Sequence, residues 1–158
     1  MNKNKGFTLI ELMVSVAVLA IVLSIAVPSF KNILLNNRLN TTKDELRTAI
    51  QLARSEAIKR KKDIILCRAS ADLTQCEADG TDWSQGWLLV YKDKDKYEVL
   101  KVWESGQGIT VTGSSAKMQF AGNGMLADSY TLDIEAPGYD VKHQIEVNRI
   151  GSIKWKKS

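Results

Sequence analysis

The hydrophobic pattern divides the chain into an apolar run, a helical stripe and a series of short alternating segments. After Glu11, no charged side chain occurs over the 19 residues from Leu12 to Phe30. In a helix these residues would span about 28 Å, which is close to the roughly 30 Å of a bilayer core. The pattern therefore predicts a helix that crosses a membrane over residues 7–30.

Helical spacing continues beyond this run. One face carries apolar residues at Leu35, Leu39, Leu46, Ile50, Ala53 and Ala57. Charged residues mostly occupy the other faces, which is typical of an amphipathic helix. We predict one helix from about Phe7 to about Arg60, with a kink at Pro28, because proline donates no backbone hydrogen bond and crowds the preceding turn.

From Asp63 onward the pattern changes to short strand-like segments separated by turn residues. The predicted strands are Ile64–Cys67, Gly86–Tyr91, Tyr97–Trp103, Ile109–Thr112, Met118–Ala121, Tyr130–Ile134, His143–Val147 and Ile150–Trp155. The charged segment Lys92–Lys96 would form a hairpin tip, and Asn123-Gly124 a tight turn. A helix followed by antiparallel strands predicts an α+β fold, with a globular head over residues 31–158.

The start of the apolar run carries a distinctive motif. A basic leader with Lys3 and Lys5 precedes the junction Gly6-Phe7, and Glu11 follows at a set distance. A carboxylate at the edge of a membrane segment costs a few kcal/mol in lipid, so we expect it to have a partner and a role. This motif resembles the N-terminus of type IV pilins and of the pseudopilins of type II secretion.

The resemblance implies a processing route. Residues 1–6 would be a leader that prepilin peptidase removes by cutting after Gly6, and Phe7 would then be methylated. Glu11 would neutralise the N-terminal amine of a neighbouring subunit as the filament assembles. The protein would first lie in the inner membrane as a single-pass subunit with its head in the periplasm, and later in a surface fibre with other pilins.

Two other interpretations of the N-terminus remain open. The run could be a secretory signal peptide cut after Ser24-Ile25-Ala26, although it is long for one and begins with an acid. It could also be a plain membrane anchor, which leaves Gly6-Phe7 and Glu11 without a purpose. The mature chain would start at Phe7 in the first case, at Val27 in the second and near Met1 in the third.

The head carries a narrower resemblance. The helical stretch from Glu45 to Ile58, the segment from Trp83 to Trp87 and the nearby cysteines resemble the GspH/FimT-like minor pilins. This implies a pilin fold and a subunit that is rare in its fibre.

Charge is concentrated at the C-terminus. The chain has 22 basic and 18 acidic side chains, and removal of Lys3 and Lys5 with the leader would leave 20 basic ones. Four of these are Arg149, Lys154, Lys156 and Lys157, so residues 7–148 carry 16 basic and 18 acidic groups. The whole molecule is therefore not expected to bind polyanions in general.

The basic C-terminus is the best candidate for a ligand surface, with Arg149, Lys154, Trp155, Lys156 and Lys157 as candidate DNA-binding residues. Lysines attract phosphates, and a tryptophan ring can stack on a base. Some FimT-like pilins bind DNA through a Gly-Arg-x-Arg motif, and the nearest match here is Gly151-Ser152-Ile153-Lys154, which loses both arginines. A last strand with a basic tail, or docking to an acidic partner pilin, remains an alternative.

Cys67 and Cys76 are the only cysteines. An even count in an exported domain predicts a disulfide. A catalytic cysteine is the alternative, but nothing ties the single histidine, His143, to either thiol. We expect His143 on the surface of a strand, and Trp83, Trp87 and Trp103 in the core or on a sheet face.

Signals for catalysis are otherwise missing. The sequence contains no recognisable zinc set, no phosphate-binding glycine loop and no nucleophile elbow. Asp93 and Asp95 could bind calcium weakly, but a solvated hairpin tip is the simpler interpretation. We therefore predict a non-enzymatic subunit without a cofactor, metal or small-molecule substrate. The function predicted is that of a minor pilin of a type IV pilus that could also contribute to DNA uptake, with a GspH-like pseudopilin of type II secretion as the alternative.

Overall fold

The structure, a computed structural model, describes residues 7–93 and 96–157, with only the backbone at positions 28, 92, 93 and 96. Its elements are α1 (Leu9–Arg60), β1 (Ile64–Arg68), β2 (Gly86–Asp93), β3 (Lys96–Glu104), β4 (Thr110–Gly113), β5 (Lys117–Phe120), β6 (Tyr130–Glu135), β7 (Lys142–Val147) and β8 (Ile153–Lys157). The chain divides into two compact units, Met1–Leu35 and Asn36–Ser158. The predicted leader 1–6 and the residues Lys94 and Asp95 of the hairpin tip lie outside the described residues.

Helix α1 begins and ends with recognisable caps. The hydroxyl of Thr8 accepts a hydrogen bond of 3.3 Å from the backbone N–H of Glu11, and together they form the Thr-x-x-Glu pattern of a capping box. At the other end, Lys61 adopts a positive φ of 53°, and the N–H of Lys62 donates to the carbonyl of Ala57. This closure satisfies a terminal carbonyl and ends the helix as a Schellman turn does.

The first unit is apolar and exposed. Every side chain described from Phe7 to Leu34 is exposed, and the helix is long and apolar enough to cross a membrane. The helix assignment continues through position 28 without a break. The predicted kink at Pro28 stays a prediction.

The second half of α1 belongs to the head and buries the predicted stripe. Five of its six residues are fully buried, together with Ala49: Leu39, Leu46, Ile50, Ala53 and Ala57. The sixth, Leu35, is half-buried. The second half of α1 therefore packs one apolar face within the head, whereas the first half has exposed apolar side chains on all of its faces.

The eight predicted strands are all present, but they form two antiparallel sheets, which the sequence pattern did not specify. The first has the order β3-β2-β1-β5 and the second the order β4-β6-β7-β8. The chain enters the second sheet at β4, returns to the first for β5, and then completes the second. The predicted α+β fold is confirmed.

One predicted strand has the wrong start. The sequence pattern predicts an extended segment over Ile150–Trp155, but β8 begins only at Ile153. Gly151 has a φ of 75°, and its N–H donates to the carbonyl of Asn148 over 2.8 Å. A hairpin turn therefore occupies the first residues of that segment, and the strand extends two residues further, to Lys157.

The disulfide holds a loop over the outer face of the first sheet. Cys67 lies on β1 and is bonded to Cys76, with 5.6 Å between their Cα atoms. The loop places Leu73 and Cys76 against an apolar cluster formed by Ile65, Cys67, Ala69, Leu88 and Val90. Closure of a loop of this length stabilises the fold by about 2.7 kcal/mol on the chain-entropy model. The predicted tryptophans are also in the core, since Trp83 and Trp87 are fully buried and Trp103 is 9% exposed.

Candidate functional sites

The apolar N-terminal helix is the first candidate site. Glu11 lies in the first turn of α1, where a carboxylate stabilises the positive end of the helix dipole. The hydroxyl of Ser15 donates to the backbone carbonyl of Glu11 over 2.7 Å, and the Glu11 residue is exposed. Phe7 is 78% exposed, and Gly6 lies outside the described residues. Glu11 is thus an exposed acid at the start of an apolar surface that has no partner within the described chain.

The basic C-terminal strand is the second candidate site, and its side chains alternate between two faces. Lys154 and Lys156 point to the side of Glu146, with which Lys156 forms an ion pair. Ile153 and Trp155 point the other way, and the Trp155 ring centre lies 5.8 Å from Nζ of Lys43 on α1. Arg149 lies in the preceding turn. The five predicted DNA-binding residues are therefore close in space but do not share one surface.

Apart from Lys157, which follows Trp155 on the same face of β8, the cations near the Trp155 ring come from α1. Arg47 and Arg54 line a groove with Ile153 and Trp155. Both arginines are among the charged residues of the helix that the apolar stripe leaves out, and the sequence pattern assigned them no role. Their spacing of seven residues, two helical turns, is the signal that could have found them.

His143 is buried, so the prediction of a surface position is wrong. It is 7% exposed on β7, on the same face as the buried Ile145 and Val147, and its Nε2 atom has no hydrogen-bond partner in the described chain. Burial lowers the pKa of His143 below its ordinary value, and the positive charges of Lys43 and Lys157 add to this against the opposing Asp44. The alternation of β7 could have indicated the burial.

This burial predicts a loss of stability in mild acid. Because the folded pKa of His143 lies below its ordinary value of 6.5, the unfolded chain binds a proton first as the pH falls. The contribution of neutral, buried His143 to the free energy of unfolding is therefore complete above pH 6.5, and it is lost as the pH falls through the folded pKa. Urea unfolding in detergent measures the free energy of unfolding at about pH 7.5 and at about pH 5. The fall between the two pH values should be larger in the unchanged chain than in His143→Leu. Equal losses in the two proteins would contradict the assignment.

Metal binding finds no support in the described residues, in which no group of three or more His, Cys, Asp or Glu side chains could hold an ion. The candidate calcium ligand Asp95 lies outside them. Within the same residues, the disulfide accounts for both cysteines.

Comparison with known proteins places the chain in a family. The family described as "Type II transport protein GspH" matches residues 43–151, which is more than two thirds of the chain. The chain belongs to the GspH family. Its N-terminus also matches the "Prokaryotic N-terminal methylation motif" over residues 1–27. The predicted resemblance to GspH/FimT-like pilins and pseudopilins is thereby confirmed.

Solved structures share the fold of this GspH-family chain. The type IV minor pilin FimU of Pseudomonas aeruginosa aligns with a TM-score of 0.62 and 21% identity, over 77% of this chain and 90% of FimU. The minor pseudopilin EpsH of the type 2 secretion system of Vibrio cholerae aligns with a TM-score of 0.58 and 13% identity, over 75% of this chain and 96% of EpsH. Both subunit types therefore use this architecture.

A sequence relative comes from Moraxella nonliquefaciens. It is a "Fimbrial protein" that is 34% identical over 85 residues, which cover 52% of this chain and 49% of the relative. The chain thus spans about half the length of that relative.

Proposed function

We propose that this GspH-family chain is a minor pilin, a non-enzymatic structural subunit of a type IV pilus. The observation that carries the proposal is the exposed apolar surface of α1 from Leu9 to Leu34 with the lone acid Glu11 at its start. Exposure of such an apolar surface to water is unfavourable. Contact with lipid, or with the same surface of neighbouring subunits, would remove it from water. The N-terminal methylation motif and the pilin-like head support the same role.

Assembly would follow from the charges at the N-terminus. Cleavage after Gly6 by prepilin peptidase would create a new amine at Phe7, which stays positively charged after methylation. In the inner membrane this amine and the carboxylate of Glu11 are each costly to bury alone, whereas their mutual attraction in an apolar medium is strong. The amine of one subunit would therefore pair with Glu11 of its neighbour and fix their axial stagger in the fibre.

The main alternative is a pseudopilin of type II secretion, which the family description and the EpsH likeness favour. The higher structural similarity to a minor pilin and the fimbrial relative favour a pilus. DNA capture stays a prediction, since the basic residues of β8 are divided between two faces and Lys156 is paired with Glu146.

A deletion strain distinguishes these functions. We expect loss of the gene to reduce surface pili and twitching by at least about tenfold, because a minor subunit primes assembly of the whole fibre, and to leave exoprotein release unchanged. Complementation with the intact chain serves as the control. Normal piliation with defective exoprotein release would instead assign the chain to a secretion fibre.

A further inference from the structure

A basic groove lies in the head between the second half of α1 and the hairpin that leads into β8. It has a volume of about 760 Å³, and Arg47, Arg54, Lys59, Ile153 and Trp155 are among the residues that line it. Arg47, Arg54 and Lys59 are exposed on the helix side, whereas Ile153 and Trp155 are half-buried on the strand side. The groove therefore combines cations along one wall with apolar side chains along the other.

The two arginines of the basic groove have no acidic partner within the described chain. Among the described residues that line the groove there is no acid. Neither Arg47 nor Arg54 forms an ion pair within the described chain, and Lys59 is 3.9 Å from Glu56, at the edge of ion-pair distance. The two unpaired arginines, together with Lys59, focus a positive potential at this concave surface, which favours an anionic occupant.

The strand wall of the basic groove is an open sheet edge. β8 is the last strand of the order β4-β6-β7-β8, and only β7 pairs with it in the described chain. On its outer side the N–H and C=O groups of alternate residues are therefore without a strand partner. Such an edge can accept an extended polypeptide as an additional strand, with main-chain hydrogen bonds giving affinity and side-chain pockets giving specificity.

The lysine side chains of β8 favour an acidic polypeptide over a basic one at this edge. Lys154, Lys156 and Lys157 stand along the edge. A second copy of β8 would bring like charges opposite one another, which is destabilising. An acidic strand would instead meet Lys154 on one face, beside the Lys156–Glu146 pair, and Lys157 with the arginines of the basic groove on the other.

We propose that the basic groove binds an extended acidic segment of a partner protein, which adds as a fifth strand to the outer edge of β8. The occupant is a polypeptide because the open backbone edge and the apolar contacts of Ile153 and Trp155 run beside the cations. Nucleic acid would use the cations but not the strand edge. The proposal concerns the head alone and does not depend on which fibre the chain joins.

Three probes test the strand addition with the full chain in detergent micelles. The first is an acetylated peptide of alternating threonine and glutamate, the second is the same sequence with its backbone amides N-methylated, and the third is a single-stranded thymidine oligonucleotide. We expect the first to bind and the second to bind at least about tenfold more weakly, since it keeps the charge but cannot form a ladder of hydrogen bonds. Equal binding of the two peptides, no binding of the first, or tighter binding of the oligonucleotide would overturn the proposal.

A charge reversal locates the binding site. Arg47→Glu should weaken binding of the first peptide about tenfold, with a smaller dependence on salt, because an exposed cation of the groove becomes an anion. The matched control is Lys117→Glu, which reverses an exposed charge on β5 at an edge of the other sheet. Equal weakening by both variants would mean general charge attraction and would contradict a site in the basic groove.

Discussion

Glu11→Val should leave the protein in the inner membrane but reduce its incorporation into fibres by at least about tenfold, since each lost 1.4 kcal/mol is tenfold in an equilibrium. Valine is more apolar than glutamate, so membrane insertion is not impaired. The amine of a neighbouring subunit, however, would be left in apolar surroundings without a counter-charge, which costs several kcal/mol. Quantitative immunoblots of sheared fibres and of membranes measure the two pools.

The control for this prediction uses the local role of Glu11 as a helix cap. Thr8 and Glu11 form a capping-box pattern, in which glutamine serves as well as glutamate. Glu11→Gln should therefore keep the helix start and still lose incorporation, whereas Glu11→Asp should retain part of it. Normal incorporation of Glu11→Gln would show that the residue acts as a cap and not as a charge.

Gly86→Ala should destabilise the head by about 3 kcal/mol or more, because it strains the backbone and forces atoms together. Gly86 has a φ of 136°, which side-chain-bearing residues rarely adopt. An added Cβ would lie 2.3 Å from the carbonyl oxygen of Trp103 on the paired strand β3 and 3.2 Å from the Cα atom of Glu104. Neither is a side chain that could rotate away, so the hairpin of β2 and β3 must shift.

Gly138→Ala is the matched control, because Gly138 also has a positive φ, 77°, but no atom of the described residues, its chain neighbours aside, lies within 4 Å of an added Cβ. Gly138→Ala should lower the free energy of unfolding by only about 1 kcal/mol, which is the cost of placing a residue with a side chain in the left-handed backbone conformation. Urea unfolding of both variants in detergent, followed by tryptophan fluorescence, gives the comparison. Equal losses would mean that the contact with Trp103 is not the cause.

The helix and most strands could be predicted because their side-chain periods are local. The stripe from Leu39 to Ala57 repeats at helical spacing, and segments such as β6 and β7 alternate between the core and solvent. The division into two sheets could not be predicted, since strand order depends on pairing between distant segments, such as β1 with β5. The late start of β8 depends on the positive φ of Gly151, which the sequence alone left undecided.

The N-terminal site could be predicted from the sequence, whereas the basic groove could not. The N-terminal motif is read directly from consecutive residues, so Gly6, Phe7 and Glu11 could be named without a structure. The basic groove brings Arg47 and Arg54 of α1 next to Trp155, about a hundred residues later in the chain. No local sequence pattern links these residues. The basic residues near the C-terminus are close in sequence and were therefore predicted to form one surface, but the side chains of β8 alternate and so lie on two faces.

The most direct measurement is the N-terminal sequence and intact mass of the mature protein, taken from membranes and from fibres. The central claim is that a charged amine created at Phe7 pairs with Glu11 of a neighbour in the fibre. It predicts a chain that begins at Phe7 and carries one N-terminal methyl group in both fractions. A mature chain that retains residues 1–6, or one that begins at Val27 and so lacks Glu11, would contradict it.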